Sequence, residues 1–245
     1  MNTDSTNSQP RTAVVTGGTR GIGKAISEAL AARGYSVIAV ATSEPATPPA
    51  GAVVRLCDVT DETAVAELFA EFETIDVLVN NAGISSSNPL KRTSLDEWDR
   101  QLAVNATGPF LCTRAVIAGM VERGHGRVVT VGSIASLEGA KYISAYAASK
   151  HAVVGLMRVL AAEVAGTGVT ANSVCPTYVR TDMTETTIAN IAEQTGTSLA
   201  SAEAKLAEST PHNRIIEIAE VADAVLGLIE SDHNGHEILL DGGLT

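Results

Sequence analysis

Short runs of β-branched residues recur along the chain, and stretches of helical periodicity separate most of them. "TAVVT" (12–16), "SVIAVA" (36–41), "AVVRLC" (52–57), "IDVLV" (75–79), "RVVTVG" (127–132), "GVTANSVC" (168–175) and "HEILL" (236–240) read as strands. Helical patterns occupy residues 21–33, 60–73, 95–123, 144–165 and 217–230. Such alternation builds βαβ units with right-handed crossovers, and so predicts an α/β fold: a parallel sheet, doubly wound, with helices on both faces. Only 3% of residues are aromatic although 45% are hydrophobic, so Ala, Val, Leu and Ile must fill the core, as in sheets buried on both faces. No internal repeat or linker divides the 245 residues, which suits one large domain.

Two stretches break the rhythm. Residues 43–51, "SEPATPPAG", hold three prolines and form no crossover helix, so strands two and three are joined by an irregular link. Residues 181–210 are polar and rich in Ala and Thr, with two helices expected on either side of Gly196. They follow a strand end, where a substrate lid would sit. "SLDE" (94–97) is a capping-box pattern, with Ser94 as the cap. Residues 1–10, "MNTDSTNSQP", lack an apolar segment and read as a loose tail rather than a signal peptide.

Charge and cysteine usage narrow the function classes. With 28 acidic and 17 basic side chains the formal charge is -11, which argues against nucleic acid or an anionic membrane as partner. No apolar run looks long enough to span a bilayer. The three cysteines, Cys57, Cys112 and Cys175, are scattered and include no CxxC, so a reducing cytoplasm is the expected location. Cys175 reads as a small buried hydrophobe. His233 and His236 form an HxxH that reads as an exposed turn rather than a metal site, and no metal is expected.

"TGGTRGIG" (16–23) lies between the first strand and its helix. Glycines at 17, 21 and 23 let an anion approach the backbone and the helix N-terminus, as a dinucleotide pyrophosphate must. The bare alternative is a tight turn without ligand, because the spacing G-x3-G-x-G differs from the usual fingerprint. A dinucleotide site often carries an acid at the end of the second strand, for the ribose 2′-hydroxyl. Here that position is Ala41, followed by Thr42 and Ser43, with Arg20 nearby. No carboxylate there repels a 2′-phosphate, so NADP(H) is favoured and NAD(H) stays open. Asp58, after the third strand, is placed either for the adenine edge or as a helix cap.

Residues 142–150 read "YISAYAASK". Tyr146 and Lys150 are one helical turn apart on one face, with small residues between them. A phenol titrates near ~10 in water. A neighbouring ammonium lowers that value, which suits proton exchange with a carbinol oxygen. Alone, the pair reads more readily as a solvated helix face. Three other groups accompany it. Ser133 in "VGSIAS" could hold the same substrate oxygen, and "NNAG" (80–83) ends the fourth strand. Asn105 in "NATG" (105–108) either caps a helix or opens a proton path behind Lys150.

In combination these motifs resemble the short-chain dehydrogenase/reductase family, over nearly the whole chain to "LLDGG" (239–243) and in the family's order and spacing. The resemblance implies a single Rossmann domain over residues 11–245, with a seven-stranded parallel sheet and a lid at 181–210. It implies an enzyme that interconverts a ketone and a secondary alcohol, with Tyr146 as general acid/base and Ser133 orienting the carbonyl. Lys150 would bind the nicotinamide ribose and lower the phenol's pKa, and Asn105 would hold a relay water. The cofactor residues it implies are Gly17, Thr19, Arg20, Gly21, Ile22, Gly23, Thr42, Ser43, Asp58, Val59, Asn81, Ala82, Gly83, Pro176, Val179 and Thr181, besides Tyr146 and Lys150. The lid is similar to those of 3-hydroxybutyrate dehydrogenases and aromatic polyketide ketoreductases, and is longer than in 3-oxoacyl-carrier-protein reductases.

The chain departs from the family pattern at Pro176-Thr177, where Pro-Gly is usual; the added side chain would narrow or reshape the pocket. The expected reaction is NADP(H)-linked reduction of a small carbonyl substrate, with a 3-oxoacyl thioester leading. An NAD-dependent secondary alcohol, 3-hydroxyacid or dihydrodiol dehydrogenase is the rival, and a non-catalytic cofactor-binding regulator the remote one. Helix 144–165 is apolar almost all round, so a homo-oligomer is expected; the resemblance implies a tetramer, with a dimer as the alternative.

Overall fold

The computed structural model describes residues 10–243; apart from Pro10, the tail read at 1–10 lies outside the described residues. Seven strands, β1 (Thr12–Thr16), β2 (Ser36–Ala41), β3 (Ala52–Leu56), β4 (Val77–Asn80), β5 (Gly126–Val131), β6 (Val169–Pro176) and β7 (Glu237–Leu240), form one sheet in the order β3-β2-β1-β4-β5-β6-β7. Every pairing is parallel. The chain winds outward from β1 to β3, then returns to β4 beside β1 and winds the other way. The strand order therefore reverses between β1 and β4, and a crevice opens at their C-terminal ends.

Among the described residues the α-helices are α1 (Gly21–Ala32), α2 (Glu62–Ala70), α3 (Leu95–Leu102), α4 (Gly108–Arg123), α5 (Ser144–Glu163), α6 (Asp182–Thr195), α7 (Leu199–Glu208) and α8 (Ile218–Ile229). Their apolar faces make two cores, one on each side of the sheet. Side chains along the row Ile38, Val14, Leu78, Val128 and Ala171 pair strand to strand across five strands. All five join one core with Val65 and Leu68 of α2, Leu111 and Val116 of α4, and Met157 and Leu160 of α5. The alternate positions Ala13, Val15, Val77, Val79 and Val129 point to the other face, against Ile26 and Leu30 of α1 and Val221 and Val225 of α8. Strand positions of both parities are therefore buried, which is why the strands read as continuous apolar runs. Each such Val, Leu or Ile side chain contributes about 1.5–3 kcal/mol.

Helix ends follow local chemistry, with corrections to the sequence reading. Asp61, not Asp58, caps α2, accepting from the N–H groups of Thr63 and Ala64 at 2.9 and 3.1 Å. Ser94 caps α3 through Glu97 N–H at 3.1 Å. Glu97's carboxylate does not return to the cap; it accepts instead from Ser86 Oγ and, at 2.8 Å, from Asn88 Nδ2. The pattern expected as one helix over 95–123 is α3 and α4 joined by a π-helical turn, Ala103–Thr107. Taken as one 29-residue helix, Leu95–Arg123 is long and apolar enough to cross a membrane by length and composition, contrary to the sequence reading. Its apolar content is explained by packing: Leu111, Cys112, Val116 and Met120 are core residues.

Helices α6 and α7 meet at Gly196, whose φ of 66° is the left-handed conformation that glycine tolerates. They form a small separate core of Ile188, Ala192, Ala202, Leu206 and Ile215. The His233 and His236 rings stack 4.2 Å apart, and no group of three or more metal-ligating side chains occurs among the described residues.

The backbone of that turn is held by Asn172 of β6, which is fully buried. Its Nδ2 donates to His233 O at 2.7 Å and its Oδ1 accepts from His236 N at 2.9 Å. Asn172→Ala strands both backbone groups and is expected to cost about 2 kcal/mol of unfolding free energy, read by urea denaturation. An unchanged midpoint would contradict this account of the β6–β7 junction.

Candidate active site

The reversal of strand order brings the C-terminal ends of β1 and β4 together, and polar side chains lock them. Thr16 Oγ1, buried at the end of β1, accepts from the N–H groups of Asn81 and Ala82 at 3.0 and 3.1 Å. Asn81 Nδ2 donates back to the carbonyls of Thr16 and Gly17 at 3.0 and 3.1 Å. A Cβ at Gly23 would collide with the Gly17 carbonyl and with Asn81 Nδ2. At Gly18 it would sit 2.6 Å from Val15 O and 3.0 Å from Ala39 Cα. Gly18 and Thr16 were not singled out from the sequence, although the adjacent Thr-Gly-Gly is their signal.

Gly21 differs from these. A Cβ there would meet nothing nearer than Thr181 Cγ2 at 3.9 Å, so the N-terminus of α1 is open on that side. Its free N–H groups could hold an anion of the pyrophosphate kind, and the residues present fit a dinucleotide. The same contact brings Thr181, the N-cap of α6, to the glycine turn from the far end of β6. Thr19 and Ile22 are partly buried beside it, and Arg20 is exposed without an ion pair among the described residues. Thr42 and Ser43 are exposed directly after β2. Asp58 is exposed and accepts from Thr60 N and Oγ1 at 2.9 and 2.8 Å, which removes the helix-cap reading. Val59 is buried against Gly108. Val179 is buried, and Pro176 ends β6. The next residue, Thr177, donates its N–H to Leu240 O at 2.9 Å, while its Oγ1 is buried without a partner.

The four residues singled out for catalysis converge at the ends of β4 and β5. Lys150, on the buried face of α5, donates from Nζ to Val131 O at the end of β5, at 2.9 Å. Ser133 lies two residues beyond that carbonyl. It caps a short turn, Ile134–Ser136, and its own N–H is held by Ser136 Oγ at 3.1 Å. Asn105 caps no helix: it sits in the π-helical turn, fully buried. Its Oδ1 accepts from Ile84 N at 2.8 Å, and its Nδ2 donates to Ile84 O and to Ser149 Oγ, both at 2.9 Å. One amide thus ties the segment after β4 to α5, and π-helical turns recur at functional sites. Gly83 lies between them, where a Cβ would stand 3.3 Å from Asn105 Oδ1 and 3.7 Å from Lys150 Nζ.

The electrostatics correct one expectation. Burial pushes the Tyr146 phenol above its usual value, and the Ser133 hydroxyl draws it part of the way back. Lys150 Nζ, 5.9 Å from the Tyr146 ring centroid, does not overturn this. Burial lowers the amine itself to about 8, so the lysine is a weaker cation than the sequence implied. Cys175 is fully buried and its thiol is raised by burial, consistent with a hydrophobe rather than a nucleophile. Cys57 and Cys112 are buried and free, Cys112 being pushed up to about 12.

A doubly wound sheet with an open glycine turn at its switch point, and a Tyr–Lys–Ser–Asn cluster beside it, defines a nucleotide-dependent oxidoreductase. The chain belongs to the short-chain dehydrogenase/reductase family: the family description "short chain dehydrogenase" matches residues 11–192. It is a dehydrogenase/reductase acting on secondary alcohol or ketone substrates, in a family that binds NAD(P). It is 40% identical over 188 residues to the 3-oxoacyl-[acyl-carrier-protein] reductase FabG of Escherichia coli K12, covering 73% of this chain and 77% of that one. It is 34% identical to a D-beta-hydroxybutyrate dehydrogenase of Rhizobium meliloti, over 96% of this chain and 98% of the relative. A single-substitution variant of the actinorhodin polyketide ketoreductase, solved with NADPH, superposes with a TM-score of 0.88 at 31% identity, over 96% and 97% of the two chains.

Lys150 predicts a pH dependence. Its folded pKa, about 8, is below its ordinary value of 10.5, so the unfolded chain holds the extra proton between those values. The lysine therefore adds stability as pH rises from about 8 towards 10.5 and adds none below that window. Denaturation across this range is expected to give wild type a steeper rise, or a shallower fall, than Lys150→Met. Parallel profiles would show that the amine is not buried as described.

Proposed function

We propose that the chain is an NADP(H)-preferring ketoreductase whose leading substrate class is a 3-oxoacyl thioester. The observation that carries the reading is the convergence of Tyr146, Ser133 and Lys150 at the end of β5, next to an anion-binding turn. Gly17, Thr19, Arg20, Gly21, Ile22 and Gly23 would hold the pyrophosphate, with Asp58 and Val59 at the adenine. Asn81, Ala82 and Gly83 would line the middle of the cofactor, with Pro176, Val179 and Thr181 at the nicotinamide and Lys150 on its ribose hydroxyls. When bound, the cofactor supplies the hydride.

The residues of the chain do the rest. A neutral Tyr146 phenol donates its proton to the carbonyl oxygen as the carbon is reduced, so C=O becomes CH–OH. Ser133 donates to the same oxygen and fixes its position. Lys150 helps return a proton to the phenolate. Asn105 stands behind it; its amide is engaged by Ile84 and Ser149, which leaves a second lone pair on Oδ1 for a relay water. Helices α6 and α7 act as the lid.

NADP(H) preference rests on the end of β2, where Ala41, Thr42 and Ser43 offer hydroxyls and no carboxylate, and exposed Arg20 offers a charge for a 2′-phosphate. The 34% identity with a D-beta-hydroxybutyrate dehydrogenase over 96% of the chain favours a second reading, a 3-hydroxyacid dehydrogenase. The exposed apolar side chains Phe110 and Val121 of α4 and Val159 of α5 support a homo-oligomer built on these helices, a tetramer or a dimer. Cytoplasmic location fits the reduced cysteines.

A screen of 3-oxoacyl esters and simple ketones, followed by nucleotide absorbance, tests the reading. Turnover with NADPH is expected to exceed that with NADH by about tenfold or more, and Ala41→Asp to reverse the order, because a carboxylate repels the 2′-phosphate. Tyr146→Phe is expected to lose on the order of 10²–10⁴-fold in turnover. A Tyr146→Phe enzyme as fast as wild type would end the catalytic assignment, and an NADH advantage would favour the dehydrogenase.

A further inference from the structure

Three successive residues at the end of β5 are held by three different partners. The Val131 carbonyl accepts from Lys150 Nζ at 2.9 Å, Gly132 N–H donates to Val174 O at 2.7 Å, and Ser133 N–H donates to Ser136 Oγ at 3.1 Å. The first two tie the strand end to α5 and β6. The third ties the Ser133 backbone to a side chain outside the Tyr–Lys–Ser–Asn cluster.

Ser136 is 2% exposed. A hydroxyl buried there costs more than a methyl unless it is bonded, and its bond goes to Ser133. Gly132 makes the space for it: a Cβ at that position would lie 2.9 Å from Ser136 Oγ and 3.0 Å from Cys175 Sγ. Ser133 Oγ in turn accepts from Ala135 N–H at 3.2 Å, and Ser136 N–H donates to Ser133 O at 2.8 Å. The two side-chain bonds form a capping box. The turn it caps, Ile134–Ser136, is only three residues long, so there is little helix for the box to stabilise. What the box fixes is Ser133. A serine hydroxyl has one proton and two lone pairs. Ala135 N–H fills one lone pair, which turns the proton away from the backbone of the turn and leaves it to be donated.

We infer that Ser136 is a positioning residue for the reaction: by holding the Ser133 backbone, it keeps the Ser133 hydroxyl oriented as a hydrogen-bond donor to the substrate's carbonyl oxygen. This rests on the ketoreductase reading and deepens it. Without the Ser136 hydroxyl the Ser133 N–H loses its partner, the turn loosens, and Ser133 Oγ is free to move among its staggered positions. A donor that must be reoriented during the reaction stabilises charge on the oxygen less than one already in place.

The test is a double-mutant cycle on kcat for reduction of ethyl 3-oxobutanoate with NADPH. Wild type, Ser133→Ala, Ser136→Ala and the double variant are measured, with the dissociation constant for NADPH and the melting temperature of each. Ser133→Ala is expected to lose on the order of 10²-fold in kcat, as when one donor to a developing oxyanion is removed. Ser136→Ala is expected to lose about tenfold, with NADPH binding within about twofold of wild type. In the Ser133→Ala background the same Ser136→Ala change is expected to cost nothing beyond about twofold, because the group it positions is already gone. Should the alanine variant not fold, Ser136→Cys, near in volume and a weaker acceptor, takes its place in the cycle. An equal loss in both backgrounds makes Ser136 a structural residue and overturns the inference, while the ketoreductase reading stands. An unchanged kcat in Ser136→Ala overturns it equally. If Ser133→Ala is itself as fast as wild type, or wild type does not reduce the ester, the reading beneath fails and the inference falls with it.

Discussion

The bond from Lys150 Nζ to the Val131 carbonyl, 2.9 Å long and out of solvent, sets the geometry on which the site depends. It joins the buried face of α5 to the last residue of β5 and so fixes how far along the strand the helix lies. Tyr146, one turn earlier on α5, then faces Ser133, two residues past Val131. The bond adds little net stability. Burial moves the amine from 10.5 to about 8, which corresponds to roughly 3 kcal/mol against its charged form. A hydrogen bond to a charged group returns about 1.5–3 kcal/mol. The two nearly cancel, so stability alone gives little reason for a lysine at this position.

Around that bond the strand ends are organised by polar locks rather than by apolar packing. Thr16 and Asn81 join β1 to the segment after β4, and Asn105 joins that segment to α5. The glycines complete the arrangement in two different ways. Gly23 and Gly18 are needed because neighbouring backbone fills the space of a side chain, whereas Gly21 leaves open space towards Thr181. The first kind shapes the turn, and the second, at a φ of 50° that favours glycine, leaves its rim open. Two apolar cores hold the sheet that carries these ends, and the third, under α6 and α7, is separate from both.

Much of this was legible in the sequence because it is local or periodic. Both faces of the sheet are covered, so strands appear as unbroken apolar runs, and the parallel order follows from their alternation with helices. Tyr146 and Lys150 could be paired because helical spacing is known in advance. What escaped depends on contacts distant in sequence. Nothing near Asn105 signals that its amide spans Ile84 and Ser149, so a helix cap stayed open as a reading. Asp58 and Asp61 are alike until the start of α2 is fixed. Glu97 is drawn from its expected return to the cap by Ser86 and Asn88, which only the fold brings near. The φ of Tyr142, 72°, gives no sequence signal, since glycine or asparagine would have marked it and a tyrosine does not. The raised phenol of Tyr146 was missed because spacing predicts a neighbouring charge and says nothing of burial.

The most direct measurement is a crystal structure of the protein with NADP⁺ and an unreactive analogue of a 3-oxo ester. The account predicts the Tyr146 and Ser133 hydroxyls both within about 2.6–3.2 Å of the analogue's ketone oxygen, with the ketone carbon against the nicotinamide and Lys150 at its ribose. A ketone oxygen held by other groups, with the Tyr146 hydroxyl turned away or the nucleotide bound elsewhere, would contradict it.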